Sequence, residues 1–140
     1  MISNMELTKE RKEKIRKIAE KYQLKLVLLF GSQATGKTHK ESDFDVAYLP
    51  EKNLSYDDEI DINLQFTYIF RYDRVDTVDI RKAPPLLLYA IFRECLILFK
   101  KDDLIFSTRR AYAFKKYIEA KPFYEKRFKK LREKIKNYDI

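Results

Sequence analysis

The residues best suited to chemistry lie in a stretch of under twenty positions. Asp43-Phe44-Asp45 places two carboxylates two residues apart at the start of an apolar run. In an extended strand, side chains alternate between faces, so both acids project to one side while Phe44 turns into the core. Two such carboxylates repel each other unless a cation lies between them, and hard oxygen ligands suit a divalent ion such as magnesium. Twelve residues before Asp43 stands Gly31-Ser32. Gly31 and Gly36 are the only glycines in the chain. A sequence that otherwise avoids glycine places both where backbone must turn tightly or lie close to a ligand.

The same stretch holds a competing pattern. Gly31 to Thr38 reads G-x-x-x-x-G-K-T, the regular expression of a phosphate-cradling P-loop. That loop requires a helix directly after its Lys-Thr, whose first amides hold the phosphates. Here only His39, Lys40, Glu41 and Ser42 separate Thr38 from the acids. Parallel strands need a crossover of about a dozen residues or more. The acids also stand at the start of "DFDVAYL", not at the far end of a strand. The spacing therefore predicts a hairpin-like link that carries Gly31-Ser32 alongside Asp43 and Asp45. Backbone amides and the Ser32 hydroxyl would then hold the terminal phosphates of a nucleoside triphosphate, with Lys37 either a further phosphate contact or a solvated loop lysine. A metal would bridge carboxylate and phosphate oxygens and set a phosphorus for in-line attack. A third acid from a neighbouring strand would complete the metal site or take the nucleophile's proton. Asp76 and Asp79, on opposite faces of one strand, are the candidates. His39 reads as a plain loop residue and Cys95 as core.

The elements that position these residues are legible from periodicity. Thr8 to Tyr22 reads as a helix capped by Thr8, with Ile15, Ile18, Ala19 and Tyr22 on one face. Leu24–Phe30 is a strand buried on both faces. Asp43–Leu49 is a second strand, ended by Pro50. A helix starts at Ser55 or Asp57 and runs to Phe70, with acids in its first turn. Arg74–Ile80 is a third strand, Pro84-Pro85 open a short helix, and Leu96–Phe99 is a fourth strand. From Asp102 to Tyr138 the pattern is helical, with a break expected near Pro122.

The chain of 140 residues reads as a single domain, 1–140, with a basic helical segment at about 102–138. No stretch is long and apolar enough for a membrane span. Met1 to Glu6 lacks the layout of a signal peptide, and the lone Cys95 fits a reducing cytosol, so a cytoplasmic location is expected. One histidine and one cysteine cannot build a conventional zinc site. The net charge is +8, yet residues 109–136 hold 12 Lys/Arg against 3 Asp/Glu, so the rest of the chain is close to neutral. That segment is either a solvated helix face or a contact for nucleic acid or an acidic protein. Its aromatics, Tyr112, Tyr117, Phe123 and Tyr124, either pack the helix onto the sheet or supply a partner interface.

Gly31-Ser32, ten residues, then Asp43-x-Asp45 resembles the signature of the DNA polymerase beta-like nucleotidyltransferase superfamily, and in particular its minimal nucleotidyltransferase (MNT) family. "RVDTVDIRKAPPLLLYAIFREC" is similar to that family's V-D-x-V strand followed by a Pro-containing helix, and the resemblance covers about residues 10–125. It implies an α+β (α/β) fold, a small mixed β-sheet flanked by helices. By the match of Val75-Asp76-Thr77-Val78, the third carboxylate is Asp76. The implied catalytic and metal-binding set is therefore Asp43, Asp45 and Asp76, with Gly31, Ser32 and Lys37 binding the nucleotide and Mg2+ and ATP as cofactor and co-substrate. The family implies AMP transfer from ATP with release of pyrophosphate, in many members to a tyrosine of a HEPN-domain RNase toxin, the transferase acting as antitoxin. Antibiotic-modifying relatives generally carry a further domain, so the short chain favours a protein acceptor. The alternatives are a non-catalytic antitoxin that neutralises by binding, and nucleotide transfer to RNA or a small molecule.

Overall fold

The computed structural model describes residues 7–31, 34, 44–70 and 74–138. Helix α1, Lys9–Lys21, begins where the Thr8 hydroxyl accepts the Arg11 amide at 3.2 Å. This meets one of the donors that a helix start leaves unpaired. Strand β1, Leu24–Phe30, follows after Gln23, and strand β2 spans Phe44–Pro50. Helix α2, Tyr56–Phe70, opens on a reciprocal cap: the Ser55 hydroxyl accepts the Asp58 amide and the Asp58 carboxylate accepts the Ser55 amide. Strand β3, Val75–Asp79, passes into a single 3-10 turn, Ile80–Lys82. Helix α3, Pro85–Arg93, starts with Pro85 in its first turn, strand β4 is Cys95–Lys100, and helix α4 is Asp103–Tyr138.

The four strands form one mixed sheet in the order β3-β2-β1-β4. Strand β1 is antiparallel to both its neighbours, β2 and β4, and β2 runs parallel to β3. The link from β1 to β2 thus joins antiparallel strands, as the residue count requires, and is no P-loop crossover. Helix α2 makes the crossover that the parallel pair needs.

Strand β1 is buried on both faces because helices cover both. On one side α1 and α2 bring Ile15, Ile18, Ala19, Ile62, Phe66 and Ile69 against Val27, Leu29, Val46 and Tyr48. On the other, α3 and the first part of α4 bring Leu88, Ile91, Phe92 and Ala113 against Leu26, Leu28, Phe30, Ala47 and Leu49. Leu24 and Leu26 belong to opposite sides despite their even spacing, because the β1–β2 register shifts between them. One extra residue reverses the alternation beyond it.

One expectation is corrected. Helix α4 runs unbroken through Pro122. Proline removes one amide donor and crowds the carbonyl four residues back, here that of Ile118. Ile118 is exposed and the helix has 36 residues, so water reaches the freed carbonyl and intact turns flank it. A second, smaller difference is at β3, which ends at Asp79 rather than Ile80. The Asp79 carboxylate accepts the Arg81 amide at 2.9 Å and turns the chain there.

Candidate active site

The register of the sheet assembles the site. Phe30 pairs with Asp45 across the antiparallel ladder, and Asp45 pairs with Asp76 across the parallel one. On the far side Phe30 also pairs with Cys95. Cys95, Phe30, Asp45 and Asp76 thus form one row across all four strands. Residues paired in register project to the same face. For this row it is the face covered by α3 and α4, because Phe30 and Cys95 pack there. Adjacent strands lie about 4.8 Å apart, so Asp45 and Asp76 bring two carboxylates side by side. Asp45 is half-buried in the second strand, and Asp76 is exposed on the edge strand.

Phe44, between the motif's two acids, is fully buried on the opposite face, where its ring stacks on Phe70 at 5.1 Å. Its amide donates to the Arg74 carbonyl at 2.9 Å, which ties the starts of β2 and β3 together. The alternation expected for this segment is therefore the one seen. Asp43, Ser32, Lys37 and His39 lie outside the described residues.

Gly31 ends β1 with φ +76°. A side chain there would be strained by that backbone angle alone. A Cβ would also stand 2.4 Å from Asp45 Oδ2. The glycine thus serves two ends: it turns the chain out of the strand, and its missing side chain leaves the space that the Asp45 carboxylate fills. The Ala34 amide donates to the Gly31 carbonyl at 3.1 Å, closing the turn.

The two candidates for the third acid separate cleanly. Asp79 lies on the opposite face from Asp76 and is buried. It caps the 3-10 turn and pairs with the Arg81 guanidinium at 3.4 Å, so its role is structural. It lines a cleft of about 390 Å³ with Tyr48, Glu59, Asn63, Thr77 and Lys82 on the α2 side of the sheet. Burial, reinforced by the Glu59 charge, pushes the Tyr48 hydroxyl far above the usual tyrosine range. At the other end of the row, burial raises the Cys95 thiol, with a smaller opposing pull from Arg110. Cys95 is half-buried and packs against the core on the α3 and α4 side.

Sequence reasoning missed Asn63. From the middle of α2 its amide donates to the Val75 carbonyl at 2.8 Å and to Thr77 Oγ1 at 3.2 Å. It grips β3 on either side of Asp76 and sets that strand's position. No sequence signal marks it, since Glu59 and Thr67, one turn away on the same side of the helix, are polar as well.

Among the described residues of this row, Asp45 and Asp76 offer carboxylate oxygens, which suit a hard divalent cation. Among the described residues no group of three or more potential ligands occurs; the described part of the acidic site is the pair Asp45 and Asp76. That pair fits such an ion, since a cation between two neighbouring carboxylates favours their charged forms.

The comparisons with known proteins agree with this geometry. Residues 13–104 match the family described as Polymerase beta, Nucleotidyltransferase. The match spans β1 to β4 and every described site residue, and the chain belongs to that family of nucleotide-transferring enzymes. No protein of curated function matches the sequence significantly. Among solved structures, a toxin–antitoxin complex with AMP-PNP contains a chain of TM-score 0.75 and 21% identity, covering 86% of this chain and 98% of that one. The MntA–HepT toxin–antitoxin gives TM-score 0.71 at 19% identity, over 89% and 99% of the two chains. A tri-AMPylated HEPN toxin of Shewanella oneidensis with its MNT antitoxin gives 0.59 at 21%, over 85% and 97%. At these identities the likeness is one of fold: a mixed sheet flanked by helices, as expected.

Proposed function

We propose that the chain is a magnesium-dependent protein adenylyltransferase, which moves AMP from ATP to a tyrosine hydroxyl of a HEPN-domain toxin and thereby acts as its antitoxin. The observation that carries this reading is the pairing of Asp45 with Asp76 beside a side-chain-free Gly31, within a chain of the polymerase beta nucleotidyltransferase family. The fold shared with the AMP-PNP complex and with the antitoxin bound to an AMPylated HEPN toxin supports the choice of ATP and of partner.

In this reading Asp43, Asp45 and Asp76 would hold the magnesium. When bound, the ion neutralises phosphate charge and polarises the α-phosphorus. Gly31-Ser32 binds the terminal phosphates through backbone amides and the Ser32 hydroxyl, and Lys37 adds a positive contact. Asp76, exposed at the sheet edge, would accept the proton of the incoming tyrosine hydroxyl. The phenolic oxygen forms a bond to the α-phosphorus as the bond to the bridging oxygen breaks, and pyrophosphate leaves. The protein works as a single domain whose basic C-terminal helix serves the partner, and in the cytoplasm.

The test is incubation with ATP labelled at the α-phosphate, magnesium and the HEPN-domain protein encoded beside this chain. Label on the partner and pyrophosphate in solution are expected, both lost in Asp45→Ala and Asp76→Ala. Orthophosphate as product, or full neutralisation of the toxin by both variants, would refute the catalytic reading.

A further inference from the structure

Helix α4 carries an apolar stripe along its second half. Phe114 and Tyr117 begin it, and both pack on Tyr89 of α3, with ring centroids at 5.5 and 3.9 Å. After a break at Lys121 the stripe resumes through Tyr124, Phe128, Leu131, Ile135 and Tyr138, at alternating spacings of four and three residues. That is the seam of a helix meant to pack lengthwise against another. Yet Phe128, Leu131, Ile135 and Tyr138 are exposed, Tyr138 by 85%. Beyond Ala120 only Tyr124 among the described residues is even half-buried. The seam from Tyr124 to Tyr138 is about 21 Å long at the helical rise per residue.

The charges beside the seam say what kind of surface covers it. Residues 121–138 hold eight Lys/Arg and two Asp/Glu. The positions flanking the stripe are Glu125, Arg127, Arg132 and Lys134. In a parallel pair of copies Arg127 would face Arg132; in an antiparallel pair Arg127 would face Lys134, while Arg132 would meet Glu125. Like charges at such positions select against self-pairing. A helix built to grip nucleic acid has little use for a continuous apolar seam between its cations.

We propose that residues 124–138 of α4 form the docking surface for a helix of the partner protein, one apolar along its centre and acidic on its flanks. The identification of that partner as the HEPN-domain toxin rests on the function proposed above. The surface adds to it the place of contact and the chemistry of the surface that meets it.

The test is titration calorimetry of the full-length chain with the HEPN-domain protein encoded beside it, at low and physiological salt. Phe128→Glu with Leu131→Glu is expected to weaken binding at least tenfold. Arg127→Glu with Arg132→Glu should weaken it and flatten its salt dependence, and Lys130→Glu, off the stripe, should leave it unchanged. Melting temperature and ATP affinity should match wild type in every variant, since the substituted side chains are exposed. Unchanged affinity in the seam variant overturns the proposal, as does absence of binding by wild type. So does a dimer in sedimentation that the seam variant dissolves, or an RNA gel shift that it abolishes with partner affinity intact. A wild type that binds through the seam but transfers no AMP defeats the catalytic reading alone. Transfer by a seam variant that still binds as tightly defeats the docking proposal alone.

Discussion

Gly31→Ala separates what the fold needs at the end of β1 from what the chemistry needs. Two penalties are visible. The first is conformational: φ is +76°, and holding an alanine in the left-handed region costs about 1–2 kcal/mol. The second is steric: the new Cβ would stand 2.4 Å from Asp45 Oδ2. That oxygen is the end of a rotatable side chain, so the clash is relieved by turning the Asp45 carboxylate, at about 0.5–1.5 kcal/mol if it leaves its rotamer. Stability should therefore fall by about 1–3.5 kcal/mol, a drop in Tm of several degrees for a chain of this size. Displacing a catalytic carboxylate by about 1 Å can cost roughly 10²-fold in rate. The assay pairs thermal melting with AMP transfer, in the wild-type background and with Asp45→Ala. In the Asp45→Ala background the steric part disappears, so the stability cost of Gly31→Ala should shrink towards the conformational part alone, a coupling that a double-mutant cycle measures. Equal costs in both backgrounds, together with wild-type transfer by Gly31→Ala, would show that Gly31 is an ordinary turn residue and that its approach to Asp45 has no consequence.

Three further outcomes are expected. Asp79→Ala should lower stability by about 1 kcal/mol through loss of the cap and leave transfer near wild type, whereas Asp76→Ala should leave stability and lose transfer by roughly 10²-fold or more; thermal melts and initial rates read both. Asn63→Ala, which removes two hydrogen bonds to β3, should destabilise by about 1–3 kcal/mol and lower the rate more than the apparent affinity for ATP; a wild-type rate would mean that β3 is held without it. The Asp61 carboxyl is held below the usual range, chiefly by the Tyr22 hydroxyl that donates to it. Its contribution is thus present above the ordinary carboxyl pKa of 3.8 and lost as pH falls below it. Tyr22→Phe should flatten the stability profile below the ordinary carboxyl pKa of 3.8 and leave neutral-pH transfer intact, which urea titrations through that acid range would show.

How far the site was legible can be traced residue by residue. The strand at Leu24–Phe30 and the burial of Phe44 followed from hydrophobic runs and alternation, because both record contact with a core. The failure of the P-loop pattern followed from counting, because four residues cannot cross between parallel strands. The choice between Asp76 and Asp79 was only half legible. Periodicity placed them on opposite faces, but which face held Asp45 depends on register, and register is fixed by pairing with β2 rather than by β3 itself. Pro122 misled because local propensity predicts a break, whereas a long helix with a solvated carbonyl opposite the proline tolerates the loss of one hydrogen bond. Asn63 was invisible because its partners, Val75 and Thr77, are backbone and hydroxyl groups that carry no pattern.

The position of β3 at the edge of the sheet explains why the two described acids differ in exposure, and bears on the acceptor. Asp45, on an interior strand and walled by Phe30 and Gly31, is half-buried, which suits a ligand that must hold an ion in fixed geometry. Asp76 faces solvent on the last strand. A proton acceptor there is reachable by a tyrosine on the surface of a folded protein, with no cavity to enclose it. A small-molecule acceptor would leave much of its surface wet at such an edge, since pockets for small ligands bury most of the ligand. An open site gains specificity from contacts made elsewhere, and the basic, apolar-striped second half of α4 offers them. If so, transfer to free tyrosine or to an unrelated tyrosine-containing peptide should be slower than to the folded partner by the effective concentration that docking supplies, often mM. Equal rates per mole for peptide and partner would show that the edge selects its acceptor unaided.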